Sequence, residues 1–217
     1  MRLHRAQAKP DWEFLPAAQH NRWQRWASQS GGVLTPGNLI TAAGACLAAA
    51  GLACVGLHEY WLGIALIGAG RLCDILDGIV AESTDTKSPL GEAVDATIDK
   101  LIAYAAFAVV ALTGIVPWPL ALVLWLQNAT NATIVFTAQR QGLAMHASRA
   151  GKIGTALEWI AILLFVARAA AGLEHAAMFT AVTYGTTVIA FGLSTLATIR
   201  YARVYQRLRA APRVAAP

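Results

Sequence analysis

Charged residues are what this chain has least of. Asp and Glu number 12 and Lys and Arg 17 among 217 residues, 13% together, about half the share of an ordinary soluble domain. Hydrophobic residues reach 57% and the mean hydropathy is +0.50. That balance excludes a soluble globular fold. It points to an all-α polytopic membrane protein, one domain of about six transmembrane helices at ~20 residues each. Cysteine is scarce too. Cys46, Cys54 and Cys73 fall in apolar segments without metal-ligand spacing and are expected as small buried hydrophobes. No signal peptide is expected. The first 37 residues are mostly polar and hold no apolar run of h-region length, so the first span is expected to act as its own insertion signal. The net charge of +5 comes without any DNA- or RNA-binding motif, which argues against a nucleic-acid partner. The basic excess is expected at cytoplasmic loops facing anionic lipid.

What is present begins with a juxtamembrane segment, 1–37. It mixes Arg2, Arg5, Lys9, Arg22 and Arg25 with Trp12, Phe14, Trp23 and Trp26. Pro16 and the Ser30-Gly31-Gly32 break limit a helix to about 17–29, an amphipathic helix expected to lie in the membrane interface. Thr35-Pro36-Gly37-Asn38 is a helix-start signal. Apolar runs then follow at 39–57, 60–81, 91–113, 118–138, 153–172 and 176–199, giving a six-span domain over 38–200 and a basic tail over 201–217. Gly63, Gly68 and Gly70 are expected to let helices approach closely. The sequons at Asn128 and Asn131 lie inside a span and are not expected to carry glycans.

Lys and Arg are unevenly shared among the connections. The amino-terminal segment, Lys87, the group Arg140, Arg149 and Lys152, and the tail hold them, whereas 58–61, 114–117 and 173–175 hold none. This asymmetry predicts both termini and the 82–90 and 139–152 loops in the cytoplasm, in a cell membrane. Trp61 and Trp118 then fall at the outer interface. Arg168 sits near an outer end, expected to snorkel or to pair with Glu174.

One stretch carries the chemistry. Asp74 and Asp77 share a helix face at i, i+3, and Asp95 and Asp99 share one at i, i+4. A short polar loop folds the two helices antiparallel, which predicts four carboxylates in one cup at the cytoplasmic end of adjacent spans. Carboxylates in a span are a functional hypothesis by default. Clustered hard oxygens suit Mg²⁺ or Mn²⁺, and two ions are expected. A structural ion-pair network with Arg71 and Lys100 is the alternative for the same acids. Gly78, Ala81 and Gly91 are small residues that would let a ligand approach the backbone.

Asp74, Asp77, Gly78, Ala81, Gly91, Asp95 and Asp99 resemble the signature of the CDP-alcohol phosphotransferases (CDP-alcohol phosphatidyltransferases), integral membrane enzymes of phospholipid synthesis. They match it at every fixed position but one, where Glu82 replaces an arginine. The resemblance implies that Asp74, Asp77, Asp95 and Asp99 hold the metals and that Asp99 also serves as general base. It implies that Asp74, Gly78, Ala81 and Gly91 meet the cytidine diphosphate. The donor would be CDP-diacylglycerol, and the enzyme a homodimer among membrane lipids. Arg140, Arg149 and Lys152 are expected to hold the phosphate of a small phosphorylated alcohol. Asp95-Ala-Thr-Ile-Asp99-Lys100 and Gly151-Lys152-Ile153-Gly154-Thr155 resemble strings of phosphatidylglycerophosphate and cardiolipin synthases, the second (Gly-Lys-x-Lys-Thr) with Gly154 in place of its second lysine, which favours glycerol 3-phosphate; inositol phosphate is the nearest competitor. His146 is a further acceptor candidate or a plain loop residue. A non-catalytic relative, given Glu82, and an ion transporter stay open as other classes.

Overall fold

The computed structural model describes residues 16–30, 33–87, 89–141, 148–173 and 175–210. Among them there are seven α-helices and no strand: α1 Arg22–Gln29, α2 Pro36–Gly56, α3 Tyr60–Ser83, α4 Pro89–Leu112, α5 Trp118–Arg140, α6 Arg149–Ala170 and α7 Ala177–Ala210. A 3₁₀ turn, Ala17–Gln19, precedes them. Four helices, α2, α5, α6 and α7, are long and apolar enough to cross a membrane. The other two of the six expected, α3 and α4, have the length, 24 residues each, but carry the charges of the aspartate stretch. Both nevertheless turn large apolar side chains outward, among them Leu72, Ile75, Ile79 and Leu101.

The helices fall into two compact units, one within residues 7–115 and one within 116–217. The first holds α1 to α4. Its organising contact is a seam of small residues between α2 and α3. Gly37, Gly44 and Gly51 recur at seven-residue intervals, and so do Gly63, Gly70 and Asp77 opposite them. A Cβ added to Gly44 would meet the Gly70 carbonyl oxygen at 3.0 Å, and one added to Gly51 would meet that of Gly63 at 2.9 Å. Backbones this close need glycine on both sides. The seam is why Gly63 and Gly70 are glycines. Gly68 does not take part, since a Cβ there would meet nothing within 4 Å.

Helix ends follow local chemistry. Thr35 caps α2 by accepting from the Asn38 N–H at 3.1 Å, with Pro36 at the first helical position. Asn38 itself donates to the Val33 carbonyl at 2.8 Å. Asn21 and Gln24 form a reciprocal capping box on α1. Helix α1 does more than present an amphipathic face. Asn21 Nδ2 donates to the Thr84 carbonyl at 3.0 Å and Gln24 Nε2 to the Asp85 carbonyl at 2.9 Å. These bonds clasp the turn between α3 and α4, where Asp85 adopts a left-handed backbone, φ 55°.

The second unit packs α6 and α5 on α7. Asn128 of α5 donates to Glu158 Oε2 at 2.9 Å and Ser194 of α7 donates to Glu158 Oε1 at 2.6 Å. Glu158 is buried, so a carboxylate joins three apolar helices, and it had no part in the sequence reading. The burial of Asn128 agrees with its reading as an unglycosylated span residue. Helix α7 runs to Ala210, past the start of the expected tail at 201. Its extension is tied down by polar contacts: the Ser148 N–H donates to Tyr201 Oη at 2.7 Å and Gln141 Nε2 to Tyr205 Oη at 2.9 Å. Arg168 donates to Thr180 Oγ1 at 3.4 Å and lies 5.7 Å from the ring centres of Phe165 and Tyr184. Glu174, its expected partner, lies outside the described residues, as do His146 and 1–15.

The cysteine expectation needs correction. Cys46 is exposed and Cys54 and Cys73 are half-buried. Cys46 sits on the side of α2 opposite the glycine seam, where a helix of this composition presents small apolar groups outward. Trp61 and Trp118 are exposed at the starts of α3 and α5, as aromatic side chains placed at a membrane interface would be.

Candidate active site

The carboxylates gather in the first unit, at the end of the glycine seam nearest the clasped turn. Asp77 occupies the register position after Gly63 and Gly70. It is opposite Gly37, whose added Cβ would meet the Asp77 carbonyl oxygen at 3.2 Å and Ala81 Cβ at 3.0 Å. Asp77 is therefore the most buried of the four, 7% exposed. Its Oδ2 accepts from Thr41 Oγ1, one turn along α2 from Gly37, at 2.5 Å. A buried carboxylate needs such a donor, since leaving it unsatisfied costs more than the bond returns.

Three carboxylates converge. One oxygen each from Asp74, Asp77 and Asp95 lie within 4.8 Å of one another. Asp95 Oδ1 is buried and accepts no hydrogen bond. An orphaned buried carboxylate oxygen beside two more carboxylates is a donor set that fits a divalent cation, because a cation would offset the repulsion among the three.

Asp99 is not brought into that trio. Arg71, one turn before Asp74 on α3, donates from Nη1 to Asp99 Oδ1 at 2.7 Å and from Nη2 to Asp74 Oδ2. The guanidinium thus bridges the two helices. Lys100, the other base weighed for this network, makes no ion pair with a described residue. Arg71, Asp74 and Asp99 line a narrow cleft with Thr41, Gly44 and Ile102.

The remaining motif positions separate by environment. Gly78 is exposed and a Cβ there would meet nothing within 4 Å, so no packing among the described residues requires glycine at 78. Ala81 rests against Gly37, and Gly91 is buried. Glu82 points away from the carboxylates into the loop, 3.6 Å from Lys87 Nζ, with both side chains exposed. Such a surface pair contributes little stability.

The basic residues belong to the second unit. Arg140 ends α5 with its guanidinium 4.4 Å over the Phe136 ring. Arg149 and Lys152 open α6 just after the capping residue Ser148, and Arg140, Arg149 and Lys152 are all exposed. Gly154 takes the place of a lysine in the synthase-like string because α7 packs on it. A Cβ there would meet Ser194 Oγ at 2.7 Å and the Ser194 backbone nitrogen at 3.1 Å.

Sequence reasoning missed Thr41 as the partner of Asp77. It weighed Arg71 only as part of a structural network. Thr41 was findable, since it lies one turn from Gly37 on a seven-residue glycine pattern that points at Asp77.

A family model described as CDP-alcohol phosphatidyltransferase matches residues 34–194, which takes in both units and all four aspartates. No curated protein matches the chain.

Proposed function

We infer the reaction from one premise: the chain belongs to the CDP-alcohol phosphatidyltransferase family. It is a membrane transferase of phospholipid synthesis. We propose that it moves the phosphatidyl group of CDP-diacylglycerol to the hydroxyl of a phosphorylated alcohol, with glycerol 3-phosphate as the acceptor and CMP as the leaving group. The observation that carries this reading is the trio Asp74, Asp77 and Asp95, with a fourth carboxylate, Asp99, held apart on the same two helices by Arg71.

In this reading Asp74, Asp77 and Asp95 hold Mg²⁺ or Mn²⁺. When bound, such an ion supplies charge neutralisation for a diphosphate and polarises the attacked phosphorus. The protein's own part is orientation and proton transfer. Asp99 is outside the trio, which leaves its carboxylate for the acceptor. It takes the hydroxyl proton as the acceptor oxygen bonds to the lipid-bearing phosphorus, while the phosphoanhydride bond breaks toward CMP. The open backbone at Gly78 supports a nucleotide lying there. Ala81 and Gly91 complete the small-residue floor. The outward apolar faces of α3 and α4 support their crossing the membrane with the other four helices. The charge asymmetry of the loops supports cytoplasmic termini and a cytoplasmic site in the cell membrane. A homodimer is the assembly proposed from the family resemblance.

Arg140, Arg149 and Lys152 are proposed as the acceptor-phosphate group. Their exposure at adjoining helix ends supports this. Inositol phosphate remains the competing acceptor because Gly154 has no room for the second lysine of the synthase-like string. The test is purified protein with CDP-diacylglycerol, Mg²⁺ or Mn²⁺, and labelled acceptors: glycerol 3-phosphate, inositol phosphate, serine, choline and ethanolamine. CMP release with glycerol 3-phosphate, abolished by EDTA and restored by the metal, is the expected result. Release only with an uncharged alcohol overturns the acceptor class, and full turnover in EDTA overturns the metal site.

A further inference from the structure

Arg71 occupies a place with a consequence for how the site is charged. Its two terminal nitrogens reach Asp99 and Asp74, one carboxylate from each helix. A second divalent ion in a four-aspartate cup would draw on this same pair, because Asp77 is engaged by Thr41 and Asp95, with its orphaned oxygen, belongs to the trio that would hold the first. The guanidinium and a second ion therefore compete for one position. The guanidinium already takes Asp99 Oδ1 and Asp74 Oδ2, the oxygens such an ion would need.

Arg71 is also poorly placed to leave. Its side chain is 21% exposed. The cleft around it is walled by Gly44, Ala45, Ala48, Gly70, Ile98 and Ile102, and its polar lining is Thr41, Asp74 and Asp99. A guanidinium pushed off its carboxylates would lose both of these ion pairs in a cleft whose other lining is largely apolar. The planar fork also suits bridging two carboxylates better than a point charge would.

We propose that Arg71 is a resident cation standing where a second metal ion would bind, so that this chain holds one divalent ion, at Asp74, Asp77 and Asp95. Arg71 then acts as a positioning residue for Asp99, fixing the carboxylate proposed as base. This departs from the two ions expected from the sequence. It rests on the metal-dependent reading of the same site, and its test is chosen to fail separately.

The experiment is a Mn²⁺ titration of the full-length protein in detergent, with free Mn²⁺ followed by electron paramagnetic resonance, so that bound ions are counted without turnover. One Mn²⁺ per wild-type chain is expected. Asp99→Asn should still bind one, with unchanged affinity, because Asp99 is not a ligand of that ion. Arg71→Gln should bind a second, because its removal leaves Asp74 and Asp99 facing each other without a cation. Arg71→Lys should stay at one. Two ions in the wild type, or loss of an ion in Asp99→Asn, overturns the proposal, as does an unchanged count in Arg71→Gln. If Arg71→Gln does not give monodisperse protein, the wild-type and Asp99→Asn counts decide alone. Two ions with intact metal-dependent turnover would sink the role of Arg71 and leave the reaction standing. No bound ion together with turnover in EDTA would sink the metal site itself.

Discussion

Adding one methyl group at Gly70 tests the seam that positions the carboxylates. A Cβ at Gly70 would lie 2.7 Å from the Gly44 carbonyl oxygen, 3.0 Å from Ala48 Cβ and 3.0 Å from the Ala48 backbone nitrogen. Two of these neighbours are backbone, so no side-chain rotation relieves the overlap. Helix α2 must move away by roughly half an ångström or more, and overpacking of this kind costs ~1–3 kcal/mol. Gly68 is the control on the same helix. A Cβ there meets nothing within 4 Å, so Gly68→Ala should be neutral or gain up to ~1 kcal/mol from helix propensity. Gly70→Ala carries the same propensity gain, so any loss comes from the seam. A net loss of about 2 kcal/mol corresponds to a Tm lower by about 4–8 °C for a chain of this size. Tm in detergent, read by loss of monodisperse protein on heating, is the assay, with CMP release measured well below the transition. Turnover should fall in Gly70→Ala even where it is folded, because the 2.5 Å bond from Thr41 to Asp77 crosses the same seam. A Gly70→Ala protein as stable and active as Gly68→Ala would refute the claim that backbone contact along α2 and α3 sets the site.

Three further outcomes are expected. Asp99→Asn should lower turnover by at least ~10²-fold, the low end for loss of a general base, with the protein still monodisperse; near-normal rates would move the base elsewhere. Arg149→Gln and Lys152→Gln should each raise the acceptor KM about 10- to 100-fold, since each removes a charge-assisted hydrogen bond worth ~1.5–3 kcal/mol, and should leave the KM for CDP-diacylglycerol unchanged. Equal KM values with normal membrane insertion would make both residues merely topological. Gln24→Ala should destabilise the protein by ~1–2 kcal/mol through loss of the capping box and of the bond to the Asp85 carbonyl, read as a lower Tm; an unchanged Tm would show that α1 does not hold the turn.

Much of the first unit was legible. The i, i+3 and i, i+4 spacings put Asp74 with Asp77 and Asp95 with Asp99 on shared faces because helical geometry leaves no other choice, and Thr35-Pro36 marked a helix start that the cap confirms. The expected spans coincide with α2 to α6 to within a few residues, since apolar runs of that length have one way to satisfy their backbone in lipid. What was not legible depended on pairings across helices. The turn of Asp99 toward Arg71 instead of the trio follows from the relative rotation of α3 and α4, which spacing along one chain does not encode. Gln24 looked like any polar residue on a basic amphipathic segment until its amide met Asp85. Glu158 could have been flagged, because an acid inside an apolar run is costly unless satisfied. Its donors, Asn128 and Ser194, lie on other helices.

Gly37 joins these threads. In the sequence it is only one residue of the helix-start string Thr35-Pro36-Gly37-Asn38. In the fold, seven-residue spacing makes it the third glycine of the α2 seam, and it faces Asp77 as Gly44 faces Gly70 and Gly51 faces Gly63. A side chain at 37 would push α2 off α3 at the level of the carboxylates and carry Thr41 away from Asp77. The seam therefore serves two needs at once. It packs two helices at backbone contact. It also ends in a position where a buried carboxylate has its hydroxyl donor on one side and two further carboxylates on the other. Asp77 is tolerated there because Thr41 satisfies one oxygen, and Asp74 and Asp99 are tolerated because Arg71 spans them. Asp95 Oδ1 is buried and receives no hydrogen bond from the described residues. That one deficit is the physical reason to place a cation among Asp74, Asp77 and Asp95.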